Sequence, residues 1–153
     1  MEVINVEIKA RCSNTDFVRT KLKGMGARYE GCDHQTDTYF KVSSGRLKIR
    51  EGNIEQRLIF YLRPDASGPK VSNCKLFETK DLDSLKEIMK KSLGILAIVN
   101  KKREIYYFEN VKFHIDSVDQ LGSFIEIEAS SLKKNANKTD LLAQCMHYIS
   151  FFE

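Results

Sequence analysis

Charged side chains recur at every second residue in several short segments of this chain. Glu7, Lys9 and Arg11 alternate with apolar residues near its start, and Glu126 and Glu128 do the same near its end. The other members of the set are Lys48 and Arg50, Arg57 and Arg63, Lys101 and Arg103, and Lys112, His114 and Asp116. Because successive side chains of a strand point to opposite faces, this spacing places each group on one face of a sheet.

The two signs of charge suit two kinds of ligand. Lys and Arg bind phosphate, and carboxylates bind hard cations such as Mg²⁺, which is usually held by one or two carboxylates together with phosphate oxygens. If the sheet closes with these faces inward, buried charges need partners, because an unpaired buried charge is very costly. The cations would then take an anionic ligand, and Glu7, Asp116, Glu126 and Glu128 would take a divalent metal or a basic neighbour. Together these groups describe a site for a metal-bound polyphosphate.

The same spacing also describes an ordinary solvated sheet face, on which opposite charges pair across neighbouring strands. From the pattern alone, this solvated face is the more common explanation. The two interpretations differ in whether the sheet closes around its charged face, so the elements that position these residues decide between them.

Alternation and turn residues predict strands, with a few helices between them. The predicted strands are 2–11, 27–33, 36–42, 46–51, 56–63, 71–79, 95–108, 111–118 and 123–129. A first helix begins at Ser13, which forms a capping box with Asp16, and ends at Gly24 and Gly26. A second, capped by Asp81 or Asp83, ends at Gly94, and Asn137 with Asp140 opens a third. Many short strands with few helices predict an α+β protein with a closed or nearly closed antiparallel sheet.

Composition sets limits on location and partners. The chain has 153 residues and a net charge of +4, which fits one domain over 1–153 and is too mild for a typical nucleic-acid binder. No apolar run approaches the roughly 20 residues that cross a bilayer, and no signal peptide is recognisable. We therefore expect a cytoplasmic protein without nucleic-acid or membrane partners, and a homodimer is left open.

The four cysteines lie far apart, which predicts reduced thiols rather than a zinc site.

Several segments resemble the CYTH family, the triphosphate tunnel metalloenzymes, and they span nearly the whole chain. NVEIK at 5–9 is similar to the E-x-E-x-K strand of that family, and HQTDTYF at 34–40 to the Q-x-D-T-Y-F segment of its cyclase-like members. GRLKIRE at 45–51, FYLRP at 60–64 and NKKREIYYF at 100–108 are similar to its basic strands. HIDSVDQLGSFIEIEA at 114–129 is similar to D-x-V-x-x-L-G-x-F-x-E-I-E and is the most specific of these matches.

The resemblance implies a closed eight-stranded antiparallel barrel with a charged lumen and helices outside, acting on a triphosphate with Mg²⁺ or Mn²⁺. It implies catalytic roles for Lys9, Arg50, Lys101 and Arg103. Triphosphate would be bound by these four together with Arg11, Lys48 and Arg63, and metal by Glu7, Asp116, Glu126 and Glu128. One residue departs from the family pattern: Asn5 stands where the first Glu of E-x-E-x-K is expected, so any metal-binding role of that position is weakened.

Three functions fit this resemblance. The cyclase-like motifs favour a class IV adenylate cyclase that converts ATP to cyclic AMP and pyrophosphate. A triphosphatase acting on inorganic triphosphate, thiamine triphosphate or a nucleotide would use the same triphosphate contacts. Asn5 also leaves room for a polyphosphate-binding or nucleotide-binding module without catalysis.

Overall fold

The computed structural model describes residues 1–132 and 136–152. Its elements, in chain order, are β1 (Glu2–Arg11), α1 (Thr15–Gly24), β2 (Arg28–Phe40), β3 (Arg46–Glu51), β4 (Gln56–Leu62), β5 (Lys70–Phe77), α2 (Leu82–Leu93), β6 (Ile95–Phe108), β7 (Val111–Val118), β8 (Gly122–Ser130) and α3 (Lys138–Phe152). Within these ranges, no helix is long and apolar enough to cross a membrane, and none of the four cysteines is in a disulfide.

The strands form one closed antiparallel barrel, with the spatial order β1-β5-β4-β3-β2-β6-β7-β8. Strand β1 closes it by pairing with β5 on one side and β8 on the other, so that Glu7 lies opposite Glu128 and Lys9 opposite Glu126. The predicted eight-stranded barrel is therefore confirmed, and every strand has a partner along both edges for part of its length. Closure gives the sheet an inner face, which a solvated open sheet lacks.

One strand boundary was wrong. Segments 27–33 and 36–42, which we expected to be separate strands, form the single strand β2. It pairs with β6 without interruption from Gly31 to Tyr39. In this register Asp33 lies opposite Arg103, and Gln35 lies opposite Lys101. The polar residues at 33, 35 and 37 are buried within this strand. Asp33 accepts from Gln35 and from backbone amides of the β3–β4 turn, and Asp37 contacts cations on the neighbouring strands.

The helix caps agree with the sequence in two of three places. Asp81 caps α2 by accepting from the Ser84 amide, and Asn137 accepts from the Asp140 amide at the start of α3. The cap of α1 is Asn14, whose Oδ1 accepts from the Phe17 amide, and not Ser13. The shift of one residue leaves the apolar face of the helix unchanged.

The apolar core lies outside the barrel wall, between the sheet and its helices. Outward residues of the closing strands, such as Val6, Phe113 and Ile127, pack against Leu22 of α1 and Leu141 of α3. A smaller cluster formed by Phe40, Ile49 and Leu82 seats α2 on the opposite wall. Since the helices cover the apolar face, the polar face of each strand is left to line the interior.

Candidate active site

A cavity of about 280 Å³ runs through the barrel and is lined by inward side chains from its strands. Its charged lining has more cations than carboxylates among the described residues. The cations are Lys9, Lys48, Arg50, Arg57, Arg63, Lys101, Arg103 and Lys112, and the carboxylates are Glu7, Glu55, Glu126 and Glu128. A lumen of this sign attracts anions, because the low-dielectric walls concentrate the field of the cations.

Three carboxylates meet at the seam where β1 joins β8. Oxygens of Glu7, Glu126 and Glu128 all lie within 4.8 Å of one another. Burial, with Glu126 nearby, raises the pKa of Glu7, and burial with Glu7 and Glu126 nearby raises the pKa of Glu128 to about 7 despite the ammonium of Lys112. A divalent cation would relieve this repulsion, and three carboxylates form the oxygen donor set that hard cations prefer. The residues present therefore fit a metal of the Mg²⁺ type.

Glu126 differs from its two neighbours because three basic side chains lie close to it. Its Oε1 lies 2.9 Å from Nδ1 of His114 and 3.6 Å from a guanidinium nitrogen of Arg103, and its Oε2 is 3.9 Å from Lys9 Nζ. Burial alone would raise the pKa of Glu126, but Arg103 and His114 outweigh it and hold that pKa well below its usual value. Glu126 thus stays ionised when the other two carboxyls compete for a proton.

Asp116, the fourth predicted metal ligand, lies outside this group of three. Arg103 donates to both of its oxygens at 2.8 Å, and Lys9 Nζ donates to Oδ2 at 3.1 Å. The strand register explains the separation, because Asp116 lies opposite Arg103 on β6 and Phe124 on β8. In this arrangement Asp116 neutralises and orients Arg103 beside the carboxylates.

A second group of cations surrounds Asp37 on β2. This carboxylate accepts from Arg50 at 2.9 Å through both oxygens, and lies 3.0 Å from Lys48 Nζ and 3.3 Å from Lys101 Nζ. Burial, together with the guanidinium groups of Arg103 and Arg50, lowers the pKa of Lys101 to about 6. One carboxylate thus gathers two cations and the amine of Lys101, and a further anion bound beside them would favour the ammonium form of Lys101.

The remaining predicted phosphate ligands differ in position. Arg63 lines the cavity and forms an ion pair with Glu7. Arg11 is exposed, donates to the Leu121 carbonyl at 2.8 Å and stacks 5.1 Å from the ring of Phe124. It is absent from the cavity lining, because β1 reaches the barrel rim at this residue.

Several lumen residues were missed as site candidates. Arg57, Lys112 and His114 follow the same period of two as the residues chosen, so the pattern pointed to them. Glu55 precedes β4 and lies 3.4 Å from Lys112 Nζ and 3.8 Å from Arg50. Its backbone amide donates to the carboxylate of Asp33, a buried residue of β2 that lies against the β3–β4 turn. No strand alternation covers a turn residue, so only the folded structure brings Glu55 into the lumen.

Comparison with known proteins identifies the family. The CYTH domain family matches residues 3–143. A protein of Methanocaldococcus jannaschii, provisionally named an adenylate cyclase, is 31% identical over 147 residues, which cover 84% of this chain and 78% of the relative. The chain belongs to the CYTH domain family. The resemblance drawn from the motifs is therefore confirmed, and with it an enzyme that acts on triphosphates.

Solved structures share the CYTH barrel at lower identity. The PH1012 protein of Pyrococcus horikoshii has a TM-score of 0.78 at 24% identity, with 97% of this chain and 89% of that one covered. The Pct1 RNA triphosphatase of S. pombe has a TM-score of 0.56 at 10% identity, with 97% and 82% covered. These likenesses concern the fold. CYTH enzymes depend on a metal, and the cluster of Glu7, Glu126 and Glu128 is the candidate for holding it.

Proposed function

We propose that the protein is a class IV adenylate cyclase that converts ATP to cyclic AMP and pyrophosphate with Mg²⁺ or Mn²⁺. The observation that supports this proposal is the meeting of two groups in one cavity: the carboxylates of Glu7, Glu126 and Glu128, and the cations gathered around Asp37 and Asp116. A metal-bound triphosphate satisfies both groups at once, since its oxygens take the cations and its metal takes the carboxylates.

The position of each lumen cation indicates which part of the triphosphate it would bind. Lys48, Arg50 and Lys101 would hold the phosphates that leave as pyrophosphate, because the ion pairs with Asp37 keep their heads together. Lys9 and Arg103, oriented by Asp116, would stabilise the negative charge on the oxygens of the phosphate under attack. Arg63 would be a further phosphate ligand. Arg11 would not bind the phosphates, because it donates to the Leu121 carbonyl at the barrel rim.

Metal held by Glu7, Glu126 and Glu128 would neutralise phosphate charge and draw electrons from the scissile bond. The surrounding residues prepare the site for it. His114 fixes the rotamer of Glu126 through their 2.9 Å hydrogen bond, and burial lowers the pKa of His114 to about 4, so the ring is neutral and adds no competing charge. The reaction itself joins the ribose 3′-oxygen, whose hydroxyl proton is released to solvent, to the α-phosphorus as the bond to the pyrophosphate oxygen breaks.

A triphosphatase is the second candidate. It is favoured by the fold that this chain shares with an RNA triphosphatase, and the charged lumen would hold a triphosphate in the same way for either reaction. Hydrolysis differs in the attacking group, which would be water directed at the terminal phosphorus. The two functions are thus separated by their products rather than by their binding residues.

Product analysis tests the proposal directly. Purified protein is offered ATP, inorganic triphosphate and thiamine triphosphate, each with Mg²⁺ or Mn²⁺, and the products are separated by chromatography. We expect cyclic AMP and pyrophosphate from ATP. Release of inorganic phosphate from any of the three would support the triphosphatase instead, and binding without any product would leave a non-catalytic module.

Triphosphate binding should take up a proton at Lys101. Its pKa of about 6 leaves the amine neutral at pH 8, and a phosphate anion beside it favours the ammonium form. Affinity should therefore fall as the pH rises above 6.

The free energy of unfolding has the opposite pH dependence. Between pH 6 and the ordinary lysine pKa of 10.5, Lys101 binds a proton in the unfolded chain that it lacks in the folded chain. The contribution of Lys101 to stability therefore increases with pH over this range.

Calorimetry in chelator at pH 8, in buffers of different ionisation enthalpy, measures this uptake. Lys101→Met should lower the number of protons taken up by about one relative to the wild type, since only one ionisable group is removed. Taking the difference removes contributions from other groups, such as Glu128 with its pKa near 7. Lys102→Met, an exposed neighbour on the outer face, is the control and should leave uptake unchanged. Equal uptake by wild type and Lys101→Met would contradict the prediction.

A further inference from the structure

One stretch of the lumen wall carries no charge. Asn5 on β1 lies opposite Ser72 on β5 and Ser130 on β8, and Cys74 is the next inward residue of β5. All four line the cavity. The next inward position of β1 is Glu7, which lies opposite Glu128. This neutral stretch, formed by Asn5, Ser72, Cys74 and Ser130, therefore begins immediately beside the carboxylate cluster.

The amide of Asn5 is buried without adequate partners. The residue is 9% exposed, and its Oδ1 accepts no hydrogen bond from the described part of the chain. Its Nδ2 makes a 3.8 Å contact with the sulfur of Cys74, which is its one hydrogen-bond contact among the residues that the structure describes. Buried polar groups in native proteins are almost always hydrogen-bonded, so an amide aimed into a cavity with capacity to donate and accept indicates a ligand group at this position.

Aromatic and aliphatic residues continue the neutral wall. Tyr61 lies opposite Cys74 and Ile59 opposite Leu76, and all four residues line the cavity. Burial raises the pKa of Tyr61 to about 12, so its phenol stays uncharged. A wall of this kind suits a flat, uncharged group with a few hydrogen-bonding atoms. The cations beside it, Lys48 and Arg63, lie over the ring of Tyr61.

We propose that the neutral stretch binds the nucleoside of a nucleoside triphosphate, with the Asn5 amide hydrogen-bonded to an uncharged hydroxyl or amino group of that nucleoside. This inference rests on the proposed function, in which the charged lumen holds the phosphates. Asn5 is then a specificity determinant that favours organic over inorganic triphosphate. A carboxylate at this position would instead add a fourth acid beside Glu7 and Glu128.

Binding measurements separate the nucleoside from the phosphates. Dissociation constants of ATP and inorganic triphosphate are measured by calorimetry in chelator, which prevents metal-dependent turnover. Asn5→Leu, similar in size and without hydrogen-bonding atoms, should weaken ATP binding about tenfold, as expected for a buried hydrogen bond. Affinity for inorganic triphosphate should stay within about twofold, because no cation is removed. Asn73→Leu, at the exposed position between Ser72 and Cys74, is the matched control and should change neither constant.

Each other result overturns the inference. Equal loss of both ligands, or no loss of ATP affinity, means that Asn5 does not contact the nucleoside, while the proposed triphosphate site still stands. Failure of the wild type to bind either ligand refutes the triphosphate site and the nucleoside site together. Melting curves check that Asn5→Leu is folded, and Asn5→Ala, which removes the same amide with less bulk, replaces it if it is not.

Discussion

Replacing Glu126 with Gln is expected to lower metal-dependent turnover by about 100-fold or more, because charge stabilisation by a bound metal lowers the activation barrier by several kcal/mol. Gln has the same shape and can still accept a hydrogen bond from His114, 2.9 Å away. It removes only the negative charge, on the one carboxylate of the cluster whose pKa its basic neighbours hold well below the usual value. Initial rates with ATP at several Mg²⁺ concentrations measure the effect, and melting curves confirm that the barrel is folded.

Glu104→Gln is the matched control for this prediction. Glu104 also lies on a barrel strand and also has a basic partner, since Arg19 donates to it from α1 at 2.9 Å. It belongs to the outer face, however, and is absent from the cavity lining. Its substitution should leave turnover within about twofold of the wild type, because no lumen charge changes. Full activity of Glu126→Gln would remove Glu126 from the proposed metal ligands.

Arg103→Met should destabilise the fold by about 3–5 kcal/mol, the usual cost of leaving a buried charge without its partner. Arg103 is 3% exposed and Asp116 1% exposed, and the two are joined by parallel 2.8 Å hydrogen bonds. Without the guanidinium, Lys9 is the one salt-bridge partner that Asp116 keeps within residues 1–132 and 136–152. Urea unfolding measures the loss, with a lower midpoint and an unchanged slope as the expected result.

A second variant distinguishes the structural and functional roles of Arg103. Arg103→Met combined with Asp116→Asn also removes the buried carboxylate that Arg103 pairs with, and should recover part of the stability, while Glu126 keeps Lys9 and His114 as partners. Triphosphate affinity should remain low in both variants, since each lacks a lumen cation. If the double variant binds triphosphate as tightly as the wild type, Arg103 acts only as the partner of Asp116 and is not part of the phosphate grip.

How far the sequence predicted this site can be judged from particular residues. Alternation alone placed Glu7 and Lys9 on the same face of β1, and Glu126 and Glu128 on the same face of β8, because a period of two needs no knowledge of neighbouring strands. Register does need that knowledge. Asp116 has the same period, but pairing opposite Arg103 and Phe124 separates it from the three carboxylates.

Polar residues inside a strand were the second source of error. The sequence predicted a break at residues 34 and 35, between strands 27–33 and 36–42, whereas both residues lie inside β2. In a barrel whose interior is charged, inward polar residues find buried partners: Gln35 donates to Asp33, and Asp37 contacts Lys48, Arg50 and Lys101. Whether an inward polar residue meets solvent or a counter-ion depends on closure of the sheet, which is a tertiary property.

Closure of the barrel between β1 and β8 also determines when the site can exist during synthesis. Strand β8 is the last of the eight strands, and β1 is the first. Glu7 therefore meets Glu126 and Glu128 only after β8 has emerged from the ribosome, and β1 cannot pair on either edge before β5 follows it. Contacts so distant in sequence form slowly. A nascent chain that stalls before β8 would expose β1 and β7 edges to other chains, so chaperone dependence should be greatest at that stage.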